Sequence, residues 1–510
     1  MLEQYPYPTL FDYTEKINRR QIVSANNNDL NTKNSRRRFI QTSAAIAASA
    51  LTPNLNLFAA TDITGQLAAY MAGARNQELP PETLLDAKYR ILDTVAAMIS
   101  GSKLLPGEMA IRFARTQGGT TEASVFATNI KTTVINAAMF NAMLAHSDES
   151  DDFEPVTKAH PGSATVPAAL ALAEKEHRSG ADLIRGVALG YDVGCRFLMA
   201  LGPDHVRGTH RGAEAYNATM GAMASAASLA HLNETQMRYA ISYAAQQVSG
   251  LWSWVDDHDH VEKSFDFSGM GARNGTTAVA MVQAGLTGVY NVLDGKHNLL
   301  SALSTQPNPS AMIADLGTRF YISESSIKTF PVGYPNQAPL DAYLKLSQEN
   351  KLTPNNVEKI TVRIPEDAIG IVGNSPMPDV NCQYLIATAL LEGNVSFANS
   401  HSQERMKLPQ IRSLMERITV IGDPKLNDPL APRGAIVEVY LRNGQILSKH
   451  TRFPPGTKEN PITTEIVSAK ARDLISPVLG GNKTERIIQD ILELEKMRDI
   501  NQLTSLLITQ

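Results

Sequence analysis

Apolar residues recur at helical spacing through the first part of the chain. After Pro80-Pro81-Glu82-Thr83, the residues Leu84, Ile91, Leu92, Val95 and Ile99 lie along one side, which predicts a helix with proline in its first turn. Asn233 and Gln236 have capping-box spacing, and Met237, Ala240, Ile241, Ala244, Ala245 and Val248 follow at i, i+3, i+4 intervals. Residues 218–232 are mostly Ala, Ser, Gly and Met, so this helix has little bulk to hold neighbours away and should pack closely inside a bundle. Near Ile327 the period changes. Ile360, Val362 and Ile364 alternate with Lys359, Thr361 and Arg363, the pattern of a half-buried strand. A second strand is expected at 417–421, and 435–441 and 445–451 flank Asn443-Gly444, a strong hairpin signal. Helical patches at 339–347 and 384–391 lie among these strands. After Pro454-Pro455-Gly456 the helical period returns, with Ile466, Ala469 and Leu474, then Ile487, Ile491 and Leu494. The expected fold is mainly α: a large all-helical domain over 61–325, a smaller α+β domain inserted at 326–460, and residues 461–510 returning to the helical domain.

Composition narrows the function classes. With 43% hydrophobic and 19% charged residues in 510, the chain is neither collagen nor a disordered polymer. A formal net charge of −4 and 6% aromatic residues give no footprint for nucleic acid. Cys195 and Cys382 are the two cysteines, too far apart for a structural zinc motif or a disulfide framework. Residues 1–34 are polar and aperiodic and read as disordered. Ser35-Arg36-Arg37-Arg38-Phe39-Ile40 and the weakly apolar, uncharged stretch to residue 60 resemble a twin-arginine export signal, with small-residue cleavage sites at Ala48-Ser49-Ala50 or near Ala59-Ala60. This implies the twin-arginine export machinery as a partner and a periplasmic location, or a cytoplasmic one if the signal does not function. Pro53, Asn54 and Asn56 interrupt the apolar run, so no membrane span is expected.

The densest polar cluster is His146-Ser147-Asp148-Glu149-Ser150-Asp151-Asp152, followed by His160-Pro161-Gly162-Ser163, between helix-forming stretches at 134–144 and 165–176. Four carboxylates in five positions repel one another, so some should titrate high unless cations lie close. The alternatives are a solvated acidic loop or an oxygen-ligand cation site, although the calcium-loop spacing is missing. A second run, His205-Val206-Arg207-Gly208-Thr209-His210-Arg211-Gly212, precedes the small-residue helix, where helix-start N–H groups with Arg and His beside them suit a carboxylate. The alternative is an exposed basic loop. In Asp256-Asp257-His258-Asp259-His260-Val261-Glu262-Lys263, the i, i+2 histidines aim in poorly matched directions, which disfavours a metal. Lys263 and Arg273 are better candidates, as cations that clamp an anionic substrate against the acidic loop. Lys328-Thr329-Phe330-Pro331 and Tyr334 fall at the junction of the two domains, where ligand clefts are favoured. The G-x-S-x-G, G-x-G-x-x-G and P-loop motifs are all missing, against serine hydrolase, Rossmann and P-loop chemistry.

In this order the segments resemble the MmgE/PrpD family, whose members include 2-methylcitrate dehydratase and cis-aconitate decarboxylase. The resemblance runs through Asp93-Thr94-Val95, Asn141 to Asp152 with His160-Pro161, Gly190-Tyr191-Asp192, the small-residue helix and Lys263 to Gly275. It continues through Lys328 to Pro331, Tyr384 to Gly393 and Pro454 to Leu474. It implies a helical domain with a smaller α+β lid, a homodimer, no cofactor and no metal, and lyase chemistry on small di- or tricarboxylates in the cleft between the two. Carried over residue by residue, it implies His160, Lys263, Glu149, Asp151 and Tyr384 as catalytic groups. Lys328, His210 (across a short gap) and Arg273 would bind substrate. Two positions depart from the decarboxylase-like pattern: Phe153 stands where Thr is usual and Gly333 where His is usual, which marks a diverged branch. The functional expectation is a dehydratase- or decarboxylase-type lyase, with an isomerase or epimerase, or an exported non-catalytic carboxylate-binding protein, as alternatives.

Overall fold

The computed structural model describes residues 62–509. The arginines at 36–38 and both cleavage sites lie outside the described residues. The fold is mainly α. Helix Pro81–Gly101 starts on the proline the sequence marks, and Glu234–Ala245 starts on a complete Asn233/Gln236 capping box. Helix Ala213–Leu229 is buried along its whole length, packed by Gly180–Leu201, Pro161–Lys175 and Met270–Gln283. Its neighbours come close because they are glycine where they touch: a Cβ on Gly271 would lie 2.4 Å from the Ala218 Cβ, and one on Gly275 2.4 Å from the Met223 N. The expectation of an all-helical first part needs one correction. Ala123–Ser124 and Lys131–Thr132 form a short antiparallel ladder, closed by Val125 N donating to Ile130 O at 2.9 Å.

Two hydrophobic cores are present among the described residues. The larger joins the helices from Ile63 to Met312 with the tail helices Thr464–Leu479, Gly481–Leu492 and Asn501–Leu507. The smaller gathers residues from Val332 to Leu441 around a four-stranded sheet in the order Ile418–Gly422, Val357–Ile364, Ala435–Leu441, Ile446–Thr451. The first pair is parallel and the others antiparallel. Asn443-Gly444 makes the hairpin, with Gly444 at φ +86, a conformation other residues adopt only at a steric cost. Helices Gln337–Asn350 and Cys382–Glu392 pack against this sheet. The chain runs into the smaller core beside the strand of chain that leaves it, since Ile327 N donates to Gly456 O at 3.0 Å. A side chain at Gly456 would strike the Ile327 carbonyl.

Candidate active site

The acidic loop between helices Val134–Ala145 and Pro161–Lys175 is the centre of the site. The second helix starts at Pro161, earlier than the periodicity suggests, because proline fits its first turn; His160 stands at the N-cap position without a side-chain capping bond. The solvated-loop alternative is overturned: His146 to Asp152 are all buried. Buried carboxylates need partners, and these come from far along the chain. Lys263, on helix Val261–Ser264, donates its ammonium to Glu149 Oε1. Fully buried Lys328 donates to the Glu149 carbonyl at 2.7 Å and lies 3.4 Å from Glu149 Oε2 and 3.5 Å from Asp151 Oδ1. Asp151 Oδ2 meets His146 Nδ1 at 2.9 Å and His160 Nδ1 at 3.2 Å. Lys470, from the tail helix, pairs with Asp93 at 2.6 Å and donates to the Ser150 carbonyl at 2.7 Å. From the smaller core, His401 Nε2 reaches Asp148 Oδ2 at 3.1 Å.

These contacts divide the acidic loop electrostatically. Burial pushes Glu149 up, but Lys263, Lys328, His260 and His146 outweigh it and hold the carboxyl well below the usual range. Asp151 follows the same logic: burial is overcome by His146, His160 and Lys328. Asp152 has no such cation, and burial takes it up to about 7, with Gly162 N donating to it at 2.9 Å. Burial also lowers Lys328, yet Asp151, Glu149 and Asp148 more than compensate and keep its ammonium charged. His146 and His260 go the other way, since desolvation drives both toward the neutral form. His401 is held at about 9: burial lowers it, and Asp379 and Asp148 raise it further.

A cleft of about 650 Å³ opens onto this cluster, with Glu149, His160 and Lys263 in its wall. Nδ1 of His160 is against Asp151, which leaves Nε2 as its free ring nitrogen. The Lys263 ammonium lies 5.0 Å from the Trp254 ring centre and 4.9 Å from that of Phe267. Two cluster triplets, His146–Asp151–His160 and His146–Glu149–His260, hold ligand atoms within 4.8 Å of one another and are where a metal would fit. The positive charge a cation would bring is already supplied to Glu149 and Asp151 by Lys263 and Lys328.

Several sequence candidates lie elsewhere. Lys328 is behind Glu149 and does not line the cleft. Tyr384 is buried in the smaller core and gives its hydroxyl to the Asn399 carbonyl, because its helix turns that face inward. Arg273 lies outside the cleft lining, its Nε on Asn274 Oδ1 at 3.1 Å and its guanidinium over Phe265. The segment from Phe265 to Gly275 is helical, with a π-helical turn at Phe265–Gly269. His210 is exposed at φ +61 and outside the cleft. The run before it is partly a short helix, Pro203–Gly208, and its Arg207 is paired to Glu214 at 3.0 Å, so the basic run offers no free clamp. Sequence reasoning passed over His146 as a site residue, although an aspartate five positions on was its signal. His401 and Lys470 carried no local signal, and the tryptophans of the cleft, Trp252 and Trp254, were passed over in a charged neighbourhood.

The MmgE/PrpD N-terminal domain model matches residues 65–312 and the MmgE/PrpD C-terminal domain model residues 330–494. The chain is 24% identical to a cis-aconitate decarboxylase-like protein of Aspergillus oryzae, over 88% of this chain and 97% of that one. It is 23% identical to the cis-aconitate decarboxylase of Aspergillus terreus, over 88% and 96%. It is 24% identical to the cis-aconitate decarboxylase of Homo sapiens, over 87% and 94%. With both models matched in chain order, the protein belongs to the MmgE/PrpD family.

Proposed function

We propose that the protein is a lyase of the dehydratase or decarboxylase type acting on a small di- or tricarboxylate. The observation that carries this is the meeting, in one cleft wall, of an ammonium (Lys263) and an imidazole (His160) whose Nδ1 lies 3.2 Å from a buried carboxylate (Asp151). In a dehydration, removing the α-proton leaves an electron pair on the carbon next to the carboxylate, delocalised as an enolate, which becomes the C=C bond as the C–O bond breaks; in a decarboxylation, C–C cleavage leaves that pair as CO2 departs. Fixed positive charge stabilises that state, and a positioned acid–base group moves the proton. Lys263 holds the substrate carboxylate, sharing its ammonium with Glu149. His160 Nε2 takes the α-proton in a dehydration and passes it to the departing hydroxyl, which leaves as water, or, as the imidazolium, gives a proton to the carbanion after CO2 leaves. Asp151 keeps the ring oriented and balances the imidazolium. Lys328 stabilises the charged form of Glu149 and Asp151 from behind. The cis-aconitate decarboxylase relatives support the lyase class.

Residues 326–460 serve in this reading as a lid over the helical domain of 61–325, completed by 461–510, and the cleft lies where they meet. The protein is exported through the twin-arginine route to the periplasm and acts as a homodimer. Support for the partner surface comes from Leu286, Val289 and Tyr290, large apolar side chains left exposed together. Among the described residues, no helix is long and apolar enough to cross a membrane. The activity test uses purified His160→Ala and Lys263→Ala: both should lose turnover of the acid that stabilises the wild type, with far-UV CD unchanged, while Lys263→Ala also melts lower because Glu149 loses one of its cations. Full activity in either removes the assignment, and deuterium uptake without loss of water or CO2 would replace it with epimerisation.

A further inference from the structure

The cleft is larger and less charged than a polycarboxylate alone requires. Its volume of about 650 Å³ falls in the middle of the range that holds drug-sized ligands, roughly 300–1,000 Å³. The cations in its lining are already spoken for. Lys263 is on Glu149, Arg207 on Glu214 at 3.0 Å, and Lys158 and Arg433 share Asp367 at 3.1 and 2.8 Å. Asp257 adds a further carboxylate. Lys158, Arg207, Lys263 and Arg433 thus face Glu149, Glu214, Asp257 and Asp367, so the lining carries no net positive charge to compensate a ligand with three carboxylates.

The remaining wall carries an apolar face, with His258, Asn374 and Ser375 beside it. Trp252 and Trp254 stand half-buried on the 3-10 turn Trp252–Asp256, with Val255 beside them 53% exposed. Ile371, 50% exposed, and Met377 line the same cleft. Phe153, also in the lining, stacks on Tyr334 with ring centres 4.0 Å apart. Val255 and Ile371 are packed into neither hydrophobic core, so they keep apolar surface in water at the cleft mouth.

We infer that, among the di- and tricarboxylates of the lyase reading, the acid this cleft takes is a dicarboxylate bearing an aryl or branched alkyl body, with one carboxylate at Lys263 and His160 and its body against the tryptophans and Ile371. The inference rests on the lyase reading only for the carboxylate end. The apolar wall adds affinity in proportion to the area it removes from water, so a benzyl group should tighten binding about thirtyfold.

The experiment is calorimetric titration of the full chain with succinate, benzylsuccinate and tricarballylate. Wild type should bind benzylsuccinate about thirtyfold more tightly than succinate, and tricarballylate no more tightly than succinate. In the double variant Val255→Ser, Ile371→Ser the benzyl advantage should shrink about fivefold while succinate binding is unchanged. The inference is overturned if benzylsuccinate binds no better than succinate, if tricarballylate binds best, or if the advantage survives the double variant. Lys263→Ala separates the two ideas. If it weakens all three acids, the carboxylate corner stands whatever the benzyl result. If it weakens none, or if none of the acids binds wild type, the lyase reading falls as well.

Discussion

Replacing Lys328 by methionine isolates the charge that holds the acidic loop together. The side chain is fully buried, so Met fills most of the space and the change is mainly electrostatic. Two consequences follow from the geometry. The Glu149 carbonyl loses its donor at 2.7 Å, and the Glu149 and Asp151 carboxylates lose a cation at 3.4 and 3.5 Å. Removing one partner of a buried pair typically costs about 3–5 kcal/mol. Here Glu149 keeps Lys263 and Asp151 keeps His146, so the low end applies, about 3 kcal/mol.

The assay is urea unfolding at pH 7, read by tryptophan fluorescence and far-UV CD. The chain's two tryptophans, Trp252 and Trp254, both line the cleft, so the fluorescence reports on the site itself. The sign of the pH effect is fixed by Glu149 and Asp151, both held well below their ordinary values. A depressed carboxylate contributes stability above its unfolded pKa and loses it as pH falls through the folded one. Without Lys328 the depression is smaller, so the acid-unfolding midpoint should move to higher pH. Glu149→Gln added to Lys328→Met should cost less than the sum of the single changes, with a coupling of about 1–2 kcal/mol. Strict additivity together with an unmoved acid midpoint would refute the claim that Lys328 acts through these carboxylates.

Three further outcomes are expected. Asp151→Asn removes the charge behind His160 while keeping its size, and should lower kcat roughly 10²–10⁴-fold with little change in KM; an unchanged kcat in steady-state assays would deny the pair a catalytic role. His401, raised to about 9 beside Asp148 and Asp379, contributes stability that is complete below about 6.5 and lost as pH rises toward 9. Melting scans across that window should therefore fall in wild type and flatten in His401→Gln; parallel curves would count against the pairing. Dialysis against EDTA should leave turnover intact because Lys263 and Lys328 carry the positive charge at Glu149; loss restored by a divalent ion would assign His146, Glu149 and His260 to a metal instead.

What could be read from the chain and what could not divides along sequence distance. The strand Val357–Ile364 and the Asn443-Gly444 hairpin declared themselves through alternation and turn chemistry, both local. The ladder at Ala123–Ser124 and Lys131–Thr132 did not, because two residues per strand are too few to show a period. Gly269, Gly271 and Gly275 suggest a turn by composition, but they serve a helix: Gly271 and Gly275 let it approach Ala213–Leu229 closely, and no local pattern distinguishes that use. In the site, the acidic loop and His160 were conspicuous as a cluster. Lys470 donates to a carbonyl 320 residues away, and His401 meets Asp148 from the other core, so each looks like an ordinary polar residue in its own segment. Tyr384 shows the converse, since a residue matched by resemblance turned its hydroxyl into the smaller core.

The acidic loop explains why these distant groups converge. Burying Asp148, Glu149 and Asp151 without cations would cost several kcal/mol each. Asp148 is met by His401 of the smaller core, Glu149 by Lys263 of the helical part, and Asp151 by Lys328 where the chain passes between the cores. Lys470 of the tail fastens the intervening Ser150 carbonyl. No single segment neutralises the loop, so the loop is favourable only when tail, junction and smaller core are all docked. That requirement couples folding to function. The arrangement that makes the buried carboxylates tolerable also sets Lys263 and His160 in the cleft wall, with Asp151 3.2 Å from the imidazole. A cheaper apolar loop would fold without these partners and would have nothing to orient the imidazole.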